Sequence, residues 1–317
     1  MRRTIGSLLV VLLTSGPIVH AAGELEAMAA QAAAEMREQF KDEAIREEDL
    51  AISVIDLRDP DHPRTGNYRG DQPMFPASVV KLFYLAYAQR LLEDGELADS
   101  EELQRGLRDM IVDSSNDATS FILDTITDAP NGGVLPAAEM EQWSTKRNVV
   151  NRYFADLGYA KINVNQKAYC EGPYGRERLF IGPKFENRNK LTTDATAKLL
   201  AEIAERRFVS QARSEAMMAL LARDRAKKTT GPDDQAHGFI AGALPPGVKV
   251  WSKAGWTSTA RHDAAYIESE DGAVRAVIVI FTTGHGRSRK IIPALGKTLY
   301  RSLSPGRPVG SAQPFVK

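Results

Sequence analysis

Apolar positions along the chain fall into blocks with different periods. Leu25, Met28, Ala29, Ala32, Met36 and Phe40 recur every three to four residues, which predicts an amphipathic helix. Ala51 to Leu57 is rich in Ile, Val and Leu and predicts a strand, stopped by Asp59-Pro60. The polar stretch that follows places turn points at Gly66 and Gly70. From Ala77 to Leu92 apolar side chains cover nearly the whole helical circumference, so this helix is expected to be central and buried, with Gly95 ending it. Ser100 to Ile126 predicts two helices separated by a polar break at Asp113-Ser114-Ser115-Asn116. Residues 127–190 read as irregular, apart from a helix near Asn148–Leu157. Leu191–Arg207 predicts a helix capped by Thr192 or Thr193. Three strands follow, at Val248–Ala254, Ala264–Glu268 and Val274–Thr283. A last helix runs from about Arg287 to Leu303, with Ile291, Ile292, Leu295 and Leu299 on one face.

Strands therefore lie at both ends of the chain, with helices between. The simplest arrangement is α+β: the N-terminal strand joins the last three in one antiparallel sheet, the terminal helices cover it, and the middle forms a helical lobe. A site is expected in the cleft between the two parts.

The two extreme ends carry different signals. Arg2 and Arg3 precede an apolar run from Ile5 to Leu13, and small residues follow up to Ala21-Ala22. This is the pattern of a secretory signal peptide over residues 1–21, with cleavage after Ala21 or Ala22. The run is too short for a permanent membrane span, so the mature protein is expected to be secreted or periplasmic. Residues 305–317 contain three prolines and read as a loose tail. That leaves residues 22–304 as the domain, with the sheet part at 22–75 and 205–304 and the helical lobe at 76–204.

Composition narrows the chemistry. The 317-residue chain is 43% hydrophobic, enough for a sizeable core, and its formal net charge is zero. Neither nucleic acid nor an anionic membrane surface is therefore expected as a partner, and the basic stretch Arg213–Lys228 reads as a solvated helix face. The single cysteine, Cys170, excludes an internal disulfide and has no motif around it. The histidines lack metal-ligand spacing, so no metal and no cofactor is expected.

Three short motifs carry the candidate chemistry: Ser78-Val79-Val80-Lys81, Ser114-Ser115-Asn116 and Lys253-Ala254-Gly255. Ser78 opens the buried helix, next to free backbone N–H groups, and Lys81 lies on the same helix face one turn on. Burial and a second ammonium would both lower the pKa of Lys81, and a neutral amine there could take the serine proton. Ser114 and Asn116 sit in the polar break, where these residue types also serve as helix caps. Lys253 ends a strand, and Gly255 permits close approach to its backbone.

Taken together and in this order, the motifs resemble those of the penicillin-recognising serine hydrolases, class A β-lactamases in particular. The resemblance spans roughly residues 25–303. Met110 to Thr119 looks like the family's second-motif region, Asn189–Ile203 like the helix after its omega loop, and Asp263 stands where that family has a buried aspartate. The fold so implied is a five-stranded antiparallel sheet flanked by helices, with an all-helical lobe. The resemblance gives Ser78 the role of nucleophile and Lys81 that of proton acceptor or relay. It makes Ser114 the donor to the leaving nitrogen, Asn116 and Lys253 substrate contacts beside Gly255, and the N–H groups of Ser78 and Trp256 the oxyanion hole.

The sequence also departs from that family. Ser115 replaces an aspartate, Ala254 replaces a hydroxyl residue, and no Glu-x-x-Leu-Asn occurs where the deacylating glutamate belongs. Glu171 is the candidate deacylation base, with Glu177 nearby. The implied function is hydrolysis of a small-molecule β-lactam through a Ser78 acyl-enzyme, by a monomer. The alternatives are a peptidoglycan D,D-peptidase or related amidase or esterase acting on a wall peptide, and a non-catalytic module that binds β-lactams or wall fragments.

Overall fold

The computed structural model describes residues 18–169, 172–227 and 234–304. The apolar run of the signal segment, Cys170, Glu171 and the tail after Ser304 lie outside the described residues. Among the described residues, no helix is long and apolar enough to cross a membrane.

Five strands make one antiparallel sheet: β1 (Leu50–Asp56), β2 (Arg64–Tyr68), β3 (Lys249–Trp256), β4 (Ala260–Glu268) and β5 (Arg275–Thr283), in the order β2-β1-β5-β4-β3. Every residue of β1 is buried, because both faces of the sheet are covered. The alternation along β5 shows how. Ala276, Ile278 and Ile280 pack with the terminal helices α1 (Ile18–Gln39) and α10 (Ile291–Leu303). Val277, Val279 and Phe281 face the opposite core, formed with α2 (Lys81–Glu93) and α8 (Thr193–Ala204). Covering on both sides turns a period-two pattern into a continuous apolar run.

The polar stretch after β1 is not a chain of turns. It holds β2, and Gly66 lies inside that strand rather than at a turn. Here α1 crosses so closely that a Cβ on residue 66 would lie 2.3 Å from the carbonyl carbon of Leu25. The strand stays hidden in the sequence because it is a half-exposed edge, so its composition is polar.

The predicted Ala77–Leu92 helix begins with a 3₁₀ turn, Ala77–Val80, before α2 proper. The helices α3 (Glu101–Ile111) and α4 (Asn116–Thr127) flank the expected break, and the Ser100 and Ser115 hydroxyls cap them by accepting from the N–H groups of Leu103 and Ala118. Thr192 caps α8 in the same way.

Residues 127–190 are more ordered than their pattern suggests. Besides α6 (Val149–Asp156), they contain α5 (Ala137–Arg147) and the short α7 (Gly175–Ile181). The only buried residues of α5 are Trp143 and Arg147, so no apolar stripe announces it. Its anchors are instead an edge-on Trp143–Phe180 contact and a buried ion cluster. Arg147, fully buried, meets Glu177 at 2.8 Å and Asp124 at 2.9 Å. Lys167 joins Asp124 at 2.6 Å. Together these pairs tie Lys167 to α4, and α5 to both α4 and α7.

The basic stretch Arg213–Lys228 is not a single solvated helix face. A helix, α9 (Gln211–Leu221), packs into the core next to α2, but the arginines beyond it do not lie on a solvated helix face. Arg225 donates to the carbonyls of Leu244, Pro245 and Val248. Arg223 runs along the outer edge of β3, its N–H to Val250 and its guanidinium to Ser252.

Candidate active site

Ser78 sits in the 3₁₀ turn ahead of α2, and the turn is pressed against β3. A Cβ on Gly255 would lie 2.6 Å from the Ser78 nitrogen and 2.8 Å from both the Pro76 oxygen and the Val79 nitrogen. Only glycine allows the strand and the Ser78 turn to touch in this way. Ala77, just before Ser78, holds a left-handed backbone at φ 47°, and Ser114 does the same at φ 56°. Such backbone conformations cost about 1–3 kcal/mol each for residues with a side chain and gather at functional sites.

Two buried lysines converge on the Ser114 turn. Lys81, the first residue of α2, donates to the Ser114 carbonyl at 2.6 Å and to Asn116 Oδ1 at 3.0 Å. Its Nζ also lies 3.3 Å from Ser114 Oγ and from the Ser115 carbonyl. The carbonyl contact is thus made to a residue in a left-handed backbone conformation. From the other side, Lys253 reaches Ser114 Oγ at 2.9 Å, while also donating to the Ala254 carbonyl at 2.7 Å and Gln235 Oε1 at 3.0 Å. One hydroxyl therefore bridges two amine-bearing side chains that are both fully buried. Burial above all, and then the neighbouring Lys81 and Arg223 charges, push the Lys253 pKa well below the usual lysine range, against a weaker opposing effect of Asp263.

Strand geometry explains the rest. Lys253 and Gly255 are two apart on β3, so they share the face toward the helices. The Ala254 N–H is not spent on β4; it donates to Gln235 Oε1 at 3.0 Å. By the two-residue period of an edge strand, the Trp256 N–H points to the same open side, next to the contact between Gly255 and Ser78. The Trp256 ring packs against Phe239, with centroids 5.6 Å apart.

Ser78, Lys81, Ser114, Asn116, Lys253, Gly255 and Trp256 are thus brought to one place. Glu171 lies outside the described residues. Glu177 is not available as its substitute. It is completely buried, accepts from the Tyr169 hydroxyl at 2.7 Å and is paired with Arg147.

Three residues that no motif singled out complete the surroundings. Gln235 and Arg223 line the outer edge of β3. His262, opposite Gly255 in the β3–β4 register, accepts from the Thr282 N–H at Nδ1 (3.1 Å), which leaves Nε2 to donate to the Phe75 carbonyl at 2.8 Å. This strut joins the sheet to the chain three residues before Ser78. Burial lowers its pKa to about 4, so the ring is neutral. Nothing in the local sequence marks these residues. Their partners come together only in the folded chain.

Comparison with known proteins bears on the fold and the family. A search of curated proteins finds no match. Solved structures do match in fold. A β-lactamase from Sphaerobacter thermophilus is 19% identical, with a TM-score of 0.62, covering 89% of this chain and 99% of that one. A β-lactamase from Xanthomonas campestris is 14% identical, with a TM-score of 0.63 and coverages of 88% and 99%. A point mutant of PBP-A, solved as an acyl-enzyme complex with penicillin G, is 15% identical, with a TM-score of 0.60 and coverages of 92% and 98%. The model of the β-lactamase enzyme family matches residues 102–303, well over half of the chain, and the protein therefore belongs to that family.

Proposed function

We propose that the protein is an exported serine hydrolase that opens a β-lactam amide through a Ser78 acyl-enzyme. The observation that carries this reading is the double contact of Lys81 and Lys253 on Ser114 Oγ, beside a nucleophile turn pinned by Gly255. Ser78 Oγ attacks the carbonyl carbon, and its proton passes to the Lys81 amine. The oxyanion that forms is held by the N–H groups of Ser78 and Trp256. Ser114, within reach of Lys81, hands a proton to the ring nitrogen as the C–N bond breaks. Asn116 and Lys253 then serve substrate capture. A water molecule hydrolyses the ester, with Glu171 as the proposed base. The Arg2-Arg3 start and the apolar run behind it support export.

A peptidoglycan D,D-peptidase is the second reading. It is favoured by a specific feature: the chain lacks the Glu-x-x-Leu-Asn sequence and Glu177 is held in an ion pair with Arg147, so without Glu171 as base the acyl-enzyme would be hydrolysed slowly. Stopped-flow with a chromogenic cephalosporin separates the two. A β-lactamase gives a burst followed by sustained turnover, and Glu171→Gln keeps the burst while losing turnover. A peptidase gives a burst of one equivalent and then stops in the wild type. No burst, in a folded protein, contradicts both.

A further inference from the structure

Gln235 occupies a position of unusual demand. Its side chain is buried between the edge of β3 and the end of α3. Its Oε1 accepts from the Lys253 ammonium and from the Ala254 N–H, both at 3.0 Å, and Arg223 Nη2 lies 3.5 Å away. Its Nε2 donates to the Val112 carbonyl at 3.0 Å and faces the Ile111 carbonyl at 3.4 Å. The amide orientation is forced, because an ammonium and a peptide N–H can only donate, and carbonyls can only accept. One side chain thus spans the cleft. Its oxygen fixes the sheet side, and its nitrogen fixes the turn that leads two residues later to Ser114. The 2.9 Å contact between Lys253 and Ser114 closes the same loop of contacts.

Resting on the acyl-enzyme reading above, we propose that Gln235 is a positioning residue that sets both the placement and the proton affinity of Lys253 relative to Ser114. The amide oxygen stabilises the charged ammonium by a hydrogen bond. The ammonium is otherwise opposed by Lys81 from α2 and Arg223 beyond α9, and favoured by Asp263 from β4. A neutral acceptor at this point favours the protonated form of Lys253 against that opposition, but less strongly than a carboxylate would. Movement of a catalytic group by about 1 Å can cost on the order of 10²-fold in rate, so the double anchorage bears directly on acylation.

Two substitutions separate positioning from simple support. Gln235→Met keeps the volume and removes every hydrogen bond. Gln235→Glu keeps the two acceptor contacts and adds a negative charge. The first readout is the pH titration of Lys253 Nζ by NMR in full-length protein labelled with ¹⁵N-lysine, assigned with Lys253→Arg. It does not depend on catalysis. The proposal predicts a titration point lower than wild type by about one pH unit or more in Gln235→Met, and higher by at least as much in Gln235→Glu. The second readout is the rate of Ser78 acylation by a fluorophosphonate as a function of pH. It should fall at least tenfold in Gln235→Met, and its profile in Gln235→Glu should move up with the Lys253 titration. Titration points equal to wild type in the two variants overturn the proposal, whatever happens to stability. A wild type that titrates as predicted but is never acylated overturns the acyl-enzyme reading and leaves the Gln235 assignment standing on the first readout.

Discussion

Two neighbours on β4 should respond to acid in opposite senses and hide one another. His262 and Asp263 are both fully buried. Burial lowers His262 from 6.5 to about 4. It also raises Asp263 from 3.8 to about 6, with the Ile240 N–H, which donates to it at 3.0 Å, pulling the other way. Each displacement corresponds to roughly 3 kcal/mol, at 1.36 kcal/mol per pH unit. The signs follow from which state binds the proton. Below pH 6.5 the unfolded chain protonates His262 and the folded one does not, so stability falls by ~3 kcal/mol as pH drops from 6.5 to about 4. Below pH 6 the folded protein protonates Asp263 before the unfolded chain does, so stability rises by ~3 kcal/mol as pH drops from about 6 to 3.8, and is lost again as pH rises through about 6. In wild type the two nearly cancel. In Asp263→Asn, which keeps the acceptor for Ile240, only the His262 loss remains. That variant should weaken relative to wild type by ~3 kcal/mol between pH 6.5 and 4. The variant His262→Gln should strengthen relative to wild type by a similar amount over the same range. Urea unfolding at pH 7, 5.5 and 4 reads both differences, and groups common to the three proteins drop out. Differences that stay constant with pH would show that these two groups do not titrate as their burial requires, and the strut geometry behind Ser78 would have to be revised.

Other consequences are quicker to state. Gly255→Ala forces atoms apart at a 2.6 Å contact with the Ser78 nitrogen; acylation by a fluorescent penicillin should drop by about 10²-fold or more, while circular dichroism stays native. Lys81→Ala should lower the acylation rate by on the order of 10²–10⁴-fold, as loss of a general base does. Lys253→Ala should act mainly on the concentration of substrate needed for half-maximal rate, and steady-state kinetics of the two variants would separate these effects. Arg147→Met strips a buried partner from Glu177 and should cost roughly 3–5 kcal/mol in urea unfolding.

The parts of this fold that were legible in the sequence are those with a strong periodic or chemical signature. The double-sided core strand β1, the apolar helix behind Lys81, the break at Ser114 and the last three strands all follow from residue pattern. What stayed hidden was held by something other than an apolar stripe. Strand β2 is an edge whose key residue, Gly66, was chosen for the closeness of α1 and so reads as a turn. Helix α5 is fixed by one tryptophan and one buried arginine. The site divides in the same way. The seven motif residues within the described chain converge, because the motif spacings mirror a helix turn and a strand alternation. Gln235, Arg223 and His262 act through hydrogen bonds to backbone groups far away in sequence, as in the 3.0 Å bond between Gln235 and Val112, and such partners exist only once the chain has folded.

The central claim is that Ser78 is an activated nucleophile, and one measurement addresses it directly. Purified protein is incubated with excess fluorescent penicillin, quenched in acid within seconds, and weighed intact before digestion and peptide mapping. The account predicts a single adduct of one penicillin mass, located on the peptide that contains Ser78 and absent in Ser78→Ala. Equal labelling of Ser78→Ala, or an adduct mapped to another residue, would contradict it.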